Sequence, residues 1–148
     1  MPGERTRSLI GISAIRRLQE QAREMTLVRE ARALKAQLEK VDEESGVQGR
    51  REATWASVLQ GRFDPIMARA WSAEVAAGAA VVAQAEADAA NMRSTKEAAA
   101  QALQGAQART QAANRLRDQA RREARRAAES RQLDDIAERF SGRGFDED

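Results

Sequence analysis

The sequence predicts an all-α fold: a long antiparallel two-helix coiled-coil hairpin whose second helix overhangs the first. Three observations predict it. A seven-residue repeat runs without a slip through the second half of the chain, a stop-and-restart signal sits at Gly61–Pro65, and the composition favours helix while offering little bulky apolar mass. Among the 148 residues, aromatics make up 3% and charged residues 32%, nearly balanced at a net +2. Such a chain suits a thin helical object with one seam for a core rather than a broad globular core.

The repeat is read at alternating steps of four and three: Trp71, Val75, Gly78, Val82, Ala85, Ala89, Met92, Lys96, Ala99, Leu103, Ala106, Thr110, Ala113, Arg117, Ala120, Ala124, Ala127. It holds for roughly eight heptads, and a repeat that long keeps one narrow seam turned to a partner helix. Nearly every position is apolar or small, with Lys96, Thr110 and Arg117 the exceptions. Because alanine dominates, the partner must approach closely or bring larger side chains.

The N-terminal half supplies that partner. After a polar start at residues 1–7, a helix is expected from about Ser8 to residue 60. Its apolar positions are Leu9, Ile12, Ile15, Leu18, Ala22 and Met25, then Leu27 or Val28, Ala31, Leu34, Leu38, Val41, Trp55 and Leu59. Read this way, the repeat slips once between Met25 and Leu34, a stammer that overwinds the coil locally. Gly46 and Gly49 each cost roughly 1 kcal/mol against alanine in a helix interior, so a bend or a break is expected there.

The turn is expected at residues 61–64. Gly61 suits a left-handed helix end. Asp64 is a good N-cap, and Pro65 is preorganised for a first helical turn. So short a connection makes the helices antiparallel neighbours, pairing positions whose numbers sum to about 126. Trp55 then meets Trp71, Leu34 meets Met92, Leu27 meets Ala99, Ala22 meets Leu103, Leu18 meets Ala106 and Leu59 meets Met67. At about 52 and 76 residues, the helices differ enough in length for the second, running to about residue 140, to overrun the first. The overhang is expected from about Asp118 to Phe140, with a flexible tail at residues 141–148.

The overhang carries a charge reversal. Between Arg115 and Arg131, seven arginines face Asp118, Glu123 and Glu129, leaving four positive charges. Between Gln132 and Asp148, six acidic residues face Arg139 and Arg143, leaving four negative ones. The basic run, Arg121, Arg122, Arg125 and Arg126 in particular, fits a solvated face or an acidic protein partner. It fits nucleic acid less well, since no aromatic residue is available for stacking and no recognised DNA-binding pattern surrounds it. A membrane surface fits least, because the apolar residues among these arginines are all alanine. Beyond it, Leu133, Ile136, Ala137 and Phe140 form a one-sided apolar stripe. That stripe either binds a partner or packs back on Leu9 and Ile12.

The composition argues against catalysis and export from the cell. Without Cys or His, the chain lacks thiolate and imidazole chemistry, and its carboxylates sit on exposed helix faces where nothing shifts them. No enzyme activity, cofactor, metal or small-molecule substrate is expected. No signal peptide is apparent, and the most apolar run, Val75–Ala83, is short for a membrane span, so a soluble cytoplasmic protein is expected.

The segment Gln132-Leu133-Asp134-Asp135-Ile136-Ala137-Glu138-Arg139-Phe140 resembles the C-terminal signature of FliJ-type flagellar export proteins, with Asp135 where Glu is usual. Length and helical pattern are similar along the whole chain, while the motif itself covers about nine residues. The resemblance implies a cytoplasmic stalk of a type III export apparatus, flagellar or, as in the related YscO-type proteins, of an injectisome. Its terminal end would enter the pore of a hexameric export ATPase, promoting ring assembly. Contact residues would then be Arg121, Arg122, Arg125, Arg126, Leu133, Asp134, Asp135, Ile136 and Phe140. The turn end, with Trp55, Leu59, Phe63, Ile66 and Trp71, would reach the membrane-embedded export gate, and substrate chaperones would be further partners. Competing readings are a coiled-coil scaffold that dimerises through its alanine seam and, further off, a basic nucleic-acid-binding helix.

Overall fold

The computed structural model describes residues 2–62 and 64–143; Phe63 and the acidic tail, Asp146 to Asp148, lie outside the described residues. Two helices account for nearly all of it: α1, Pro2–Gln60, and α2, Pro65–Arg143. They pack against each other, with no strand among the described residues.

Helix α1 starts six residues earlier than the sequence reading placed it. Pro2 occupies the first turn, where its missing N–H costs nothing, and Glu4 complements the positive end of the helix dipole. The helix continues unbroken through Gly46 and Gly49. Both glycines are exposed, and the price of each is confined to local propensity.

The connection falls where expected. The Gly61 amide donates to the Val58 carbonyl at 3.2 Å, closing α1. Asp64 caps α2: its side chain accepts from the Ile66 amide at 3.0 Å, and its carbonyl accepts from the Ala68 amide at 2.9 Å. Gly61 is not left-handed, for no described glycine has a positive φ. Its helix end closes by a tight three-residue turn instead.

The packing forms two compact units, residues 23–103 and residues 1–22 with 104–148. In the first, the inward residues of α2 are Trp71, Val75, Gly78, Val82, Ala85, Ala89, Met92, Lys96, Ala99 and Leu103, all buried or half-buried. In the second they are Ala106, Thr110, Ala113, Arg117, Ala120, Ala124 and Ala127. Every position of the repeat read from the sequence is thus turned inward. The buried apolar core of the described residues is correspondingly thin: Leu34, Ala85, Ala89, Ala106, Ala113 and Ala120.

Helix α1 corrects the expectation. Its buried and half-buried residues are Thr6, Leu9, Ser13, Arg16 and Glu20 in one unit, and Thr26, Leu27, Glu30, Ala31, Ala33, Leu34, Gln37, Val41, Glu44, Val47, Gln48, Arg51, Trp55 and Val58 in the other. Within each unit most of these positions follow alternating steps of three and four. Of the apolar residues expected to face α2, Leu9, Leu27, Ala31, Leu34, Val41 and Trp55 do so, whereas Ile12, Ile15, Leu18, Ala22, Met25, Leu38 and Leu59 are exposed. So is Met67, the expected partner of Leu59. Of the expected pairs, Trp55 with Trp71, Leu34 with Met92, and Leu27 with Ala99 have both members inward. The pairs built on Leu18, Ala22 and Leu59 do not.

The physical cause is the strict repeat of α2, which only a helix on the same repeat can follow. Alanine leaves room above it, so long polar side chains lie along the seam on their aliphatic stems and spend their polar ends on backbone carbonyls. Gln37 donates to the Ala85 carbonyl at 3.1 Å, and Gln48 to the Val75 carbonyl at 2.8 Å. From the other side, the Thr110 hydroxyl lies 3.2 Å from the Arg16 carbonyl and 3.0 Å from that of Ala106. Gly78 completes this arrangement. A Cβ at that position would run into the Gln48 carboxamide and lie 2.7 Å from an Arg51 guanidinium nitrogen.

Candidate functional site

The C-terminal part of α2 changes character after Ala127. Up to that residue its seam is covered by the first turns of α1. Arg5 and Glu123 form an ion pair at 3.7 Å, and Arg5 and Thr6 share a groove with Ala120, Ala124 and Ala127. From residue 128 to residue 143 every position is exposed. The uncovered stretch therefore begins about ten residues later than Asp118, and the six residues by which α1 starts earlier, at Pro2 instead of Ser8, account for most of the shift.

This shift separates the two groups of expected contact residues. Arg121, Arg122, Arg125 and Arg126 lie beside the covered seam, all four exposed and without an ion-pair partner among the described residues. Leu133, Asp134, Asp135, Ile136 and Phe140 lie on the uncovered stretch. Leu133 is 67% exposed and Phe140 72%, so neither packs on Leu9 or Ile12.

Helical spacing joins part of the two groups into one face. Starting at Arg115 and stepping by four and three, the positions are Gln119, Arg122, Arg126, Glu129, Leu133, Ile136, Phe140 and Arg143. None of these belongs to the inward repeat. Continuing that repeat past Ala127 gives Arg131, Asp134 and Glu138, which cannot extend an alanine seam. The apolar stripe thus stands on the side of α2 turned away from α1, preceded along the same face by Arg122 and Arg126. At its end Ile136, Arg139, Phe140 and Arg143 frame a shallow depression, apolar between two guanidinium groups.

The sequence reading missed a polar cluster beside this region. Ser13, buried on α1, donates to Asn114 and accepts from Arg117 at 3.4 Å. Arg117 also pairs with Asp118 at 3.2 Å. The cluster explains how an arginine sits in the alanine repeat, since its charge is met at the edge of the seam. The signal available in the sequence was the polar trio itself, Ser13, Asn114 and Arg117, at positions that meet once α1 is put on the repeat of α2.

At the turn end, Leu59 and Ile66 are exposed, Ile66 at 81%. Trp55 and Trp71 are half-buried on the inward faces, and the Trp55 indole nitrogen is buried without a hydrogen-bond partner. The described residues include no group of three or more acidic side chains placed to hold a metal ion. Helix α2 includes an 18-residue stretch, of mean hydropathy 1.3, apolar enough by length and composition to cross a membrane.

Comparison with protein-family models, with curated proteins and with solved structures gives no match.

Proposed function

We propose that the chain is a FliJ-type stalk of a type III export apparatus. In this reading it is an antiparallel two-helix coiled-coil hairpin that binds a hexameric export ATPase through the end of α2. The observation that carries the reading is the wholly exposed stretch 128–143, with Leu133, Ile136 and Phe140 on one face behind Arg122 and Arg126. A helix that needed only solubility would place charge on that face. Exposed apolar residues with arginines at both ends suit an apolar groove rimmed by carboxylates in the partner. The hairpin reading draws support from the contacts between the helices: Arg5 with Glu123, Ser13 with Asn114, Arg16 with Thr110, Gln37 with Ala85 and Gln48 with Val75. Low numbers on one helix meet high numbers on the other throughout, and each pair sums close to 126. The turn end, through Leu59 and Ile66, is the corresponding candidate for an export-gate contact, and substrate chaperones are further partners of the same reading. The protein acts in the cytoplasm, at the inner face of the membrane once assembled.

The test is the ATP hydrolysis rate of the host's export ATPase with and without this protein, together with its assembly state by light scattering. Stimulation and more hexamer are expected. Replacing Arg121, Arg122, Arg125 and Arg126 together by Glu should abolish both effects while helix content stays intact. No change in rate or assembly with the parent protein defeats the stalk reading. An undiminished effect of the quadruple variant removes the arginines from the contact.

A further inference from the structure

Helix α1 carries a second seven-residue repeat, on the side away from α2. Gly11, Ile15, Leu18, Ala22 and Met25 follow one another at steps of four and three, and all are exposed, Leu18 at 65% and Met25 at 74%. The positions flanking them, Ile12, Ala14, Gln19, Gln21, Thr26 and Val28, are uncharged. The charges of this stretch, Arg16, Arg17, Glu20, Arg23 and Glu24, lie on or beside the inward face instead. A helix with one partner shows the opposite distribution, apolar residues inward and charge outward. Here the outward face has the pattern of a packing seam.

We propose that this face pairs with the same face of a second copy, the two α1 helices running antiparallel. The fit is self-complementary. With Leu18 opposite Ala22 of the other copy, Ile15 lies opposite Met25, and each layer occurs twice about the two-fold axis. Leu18, a large branched residue, meets the smallest side chain of the stripe apart from glycine, which fills the layer without overpacking. The flanks then bring Gln19 to Gln19, Gln21 to Gln21, Ile12 to Thr26 and Ala14 to Val28, with no charge to desolvate. Charge also sets the direction. The next two positions of the repeat are Arg29 and Arg32, and a parallel pairing would set each against its own copy. Antiparallel, Arg29 faces Gly11 and Arg32 faces Ser8. The apolar area available on both copies is on the order of 1,000 Å², the scale at which specific interfaces begin. An anionic lipid surface would call for lysine or arginine along the flanks, where this face has glutamine and threonine.

The inference is independent of the ATPase reading, since it uses neither the basic run nor the residues after 127. The full chain, at concentrations up to about 100 μM, should sediment at twice its 16.3 kDa mass. Ile15→Glu with Leu18→Glu should return it to the single mass with unchanged helix content, because both residues are exposed within one chain. Leu133→Glu with Ile136→Glu should leave the double mass in place. The absence of native cysteine permits a geometric check. Leu18→Cys mixed with Ala22→Cys should cross-link faster than either variant alone. A single mass for the parent protein overturns the proposal, as does a double mass that survives Ile15→Glu with Leu18→Glu. Faster cross-linking of each variant with itself overturns the antiparallel arrangement. A monomer that pellets with phosphatidylserine vesicles assigns the face to lipid instead.

Discussion

Replacing Gly78 by alanine asks whether the seam of α2 is shaped by what α1 places against it. In an unencumbered helix interior the change stabilises by about 1 kcal/mol. At this position the new methyl group enters the space of the Gln48 carboxamide, which is buried and donates to the Val75 carbonyl at 2.8 Å. Displacing it loses a hydrogen bond of about 1 kcal/mol and adds an overpacking cost of about 1–3 kcal/mol. Gly78→Ala should therefore destabilise by a net of about 1–3 kcal/mol. In a Gln48→Ala background the obstacle is gone, and the Arg51 guanidinium is the mobile end of a long side chain. There the same change should stabilise by about 1 kcal/mol. At about 3 °C per kcal/mol, thermal unfolding followed by far-ultraviolet circular dichroism separates a fall in midpoint from a rise. The sign reversal between the two backgrounds is the decisive readout. An equal shift in both would mean that Gln48 does not occupy the notch above Gly78, and the packing argument would fail with it.

Two further outcomes follow from the same packing. Trp55→Ala should lower the thermal midpoint, by about 1–3 kcal/mol in stability for a half-buried indole, and a midpoint no lower than the parent's would place Trp55 outside the seam. Removing the Arg5–Glu123 pair by Arg5→Ala should change stability by less than about 1 kcal/mol, since both side chains are largely exposed. A larger loss in denaturant titration would show that the pair holds the first turn of α1 in place.

How far the sequence reveals this fold depends on which helix is read. On α2 the inward face is legible to the last position, because its seven-residue repeat runs from Trp71 to Ala127 without a slip. The turn is equally legible, since Asp64 and Pro65 state their roles through capping and fixed φ. On α1 the rule that the apolar face turns inward holds for Leu27, Leu34, Val41 and Trp55 but points the wrong way between Ile12 and Met25. Ile15, Leu18 and Met25 draw the eye to one face, whereas Ser13, Arg16, Glu20 and Gln48 occupy the seam. The residues of α1 alone do not disclose this. It becomes visible only when the repeat of α2 is imposed on α1, for an alanine surface accepts a glutamine that a leucine surface would exclude. The candidate site was legible in its residues and misplaced in its context. Arg121 to Arg126 flank covered seam because Pro2 starts a helix where a frayed terminus was expected.

An alanine seam has little memory of position. Slide one helix along the other by seven residues, about 10.5 Å, and alanine again meets much the same company. What tells one setting from the next is a short set of one-of-a-kind matches: Gln48 over Gly78 in one unit, Ser13 with Asn114 and Arg117 in the other. They behave as detents on an otherwise smooth track. Each match sets the pairing of its own unit, where the alanines alone would leave it undecided.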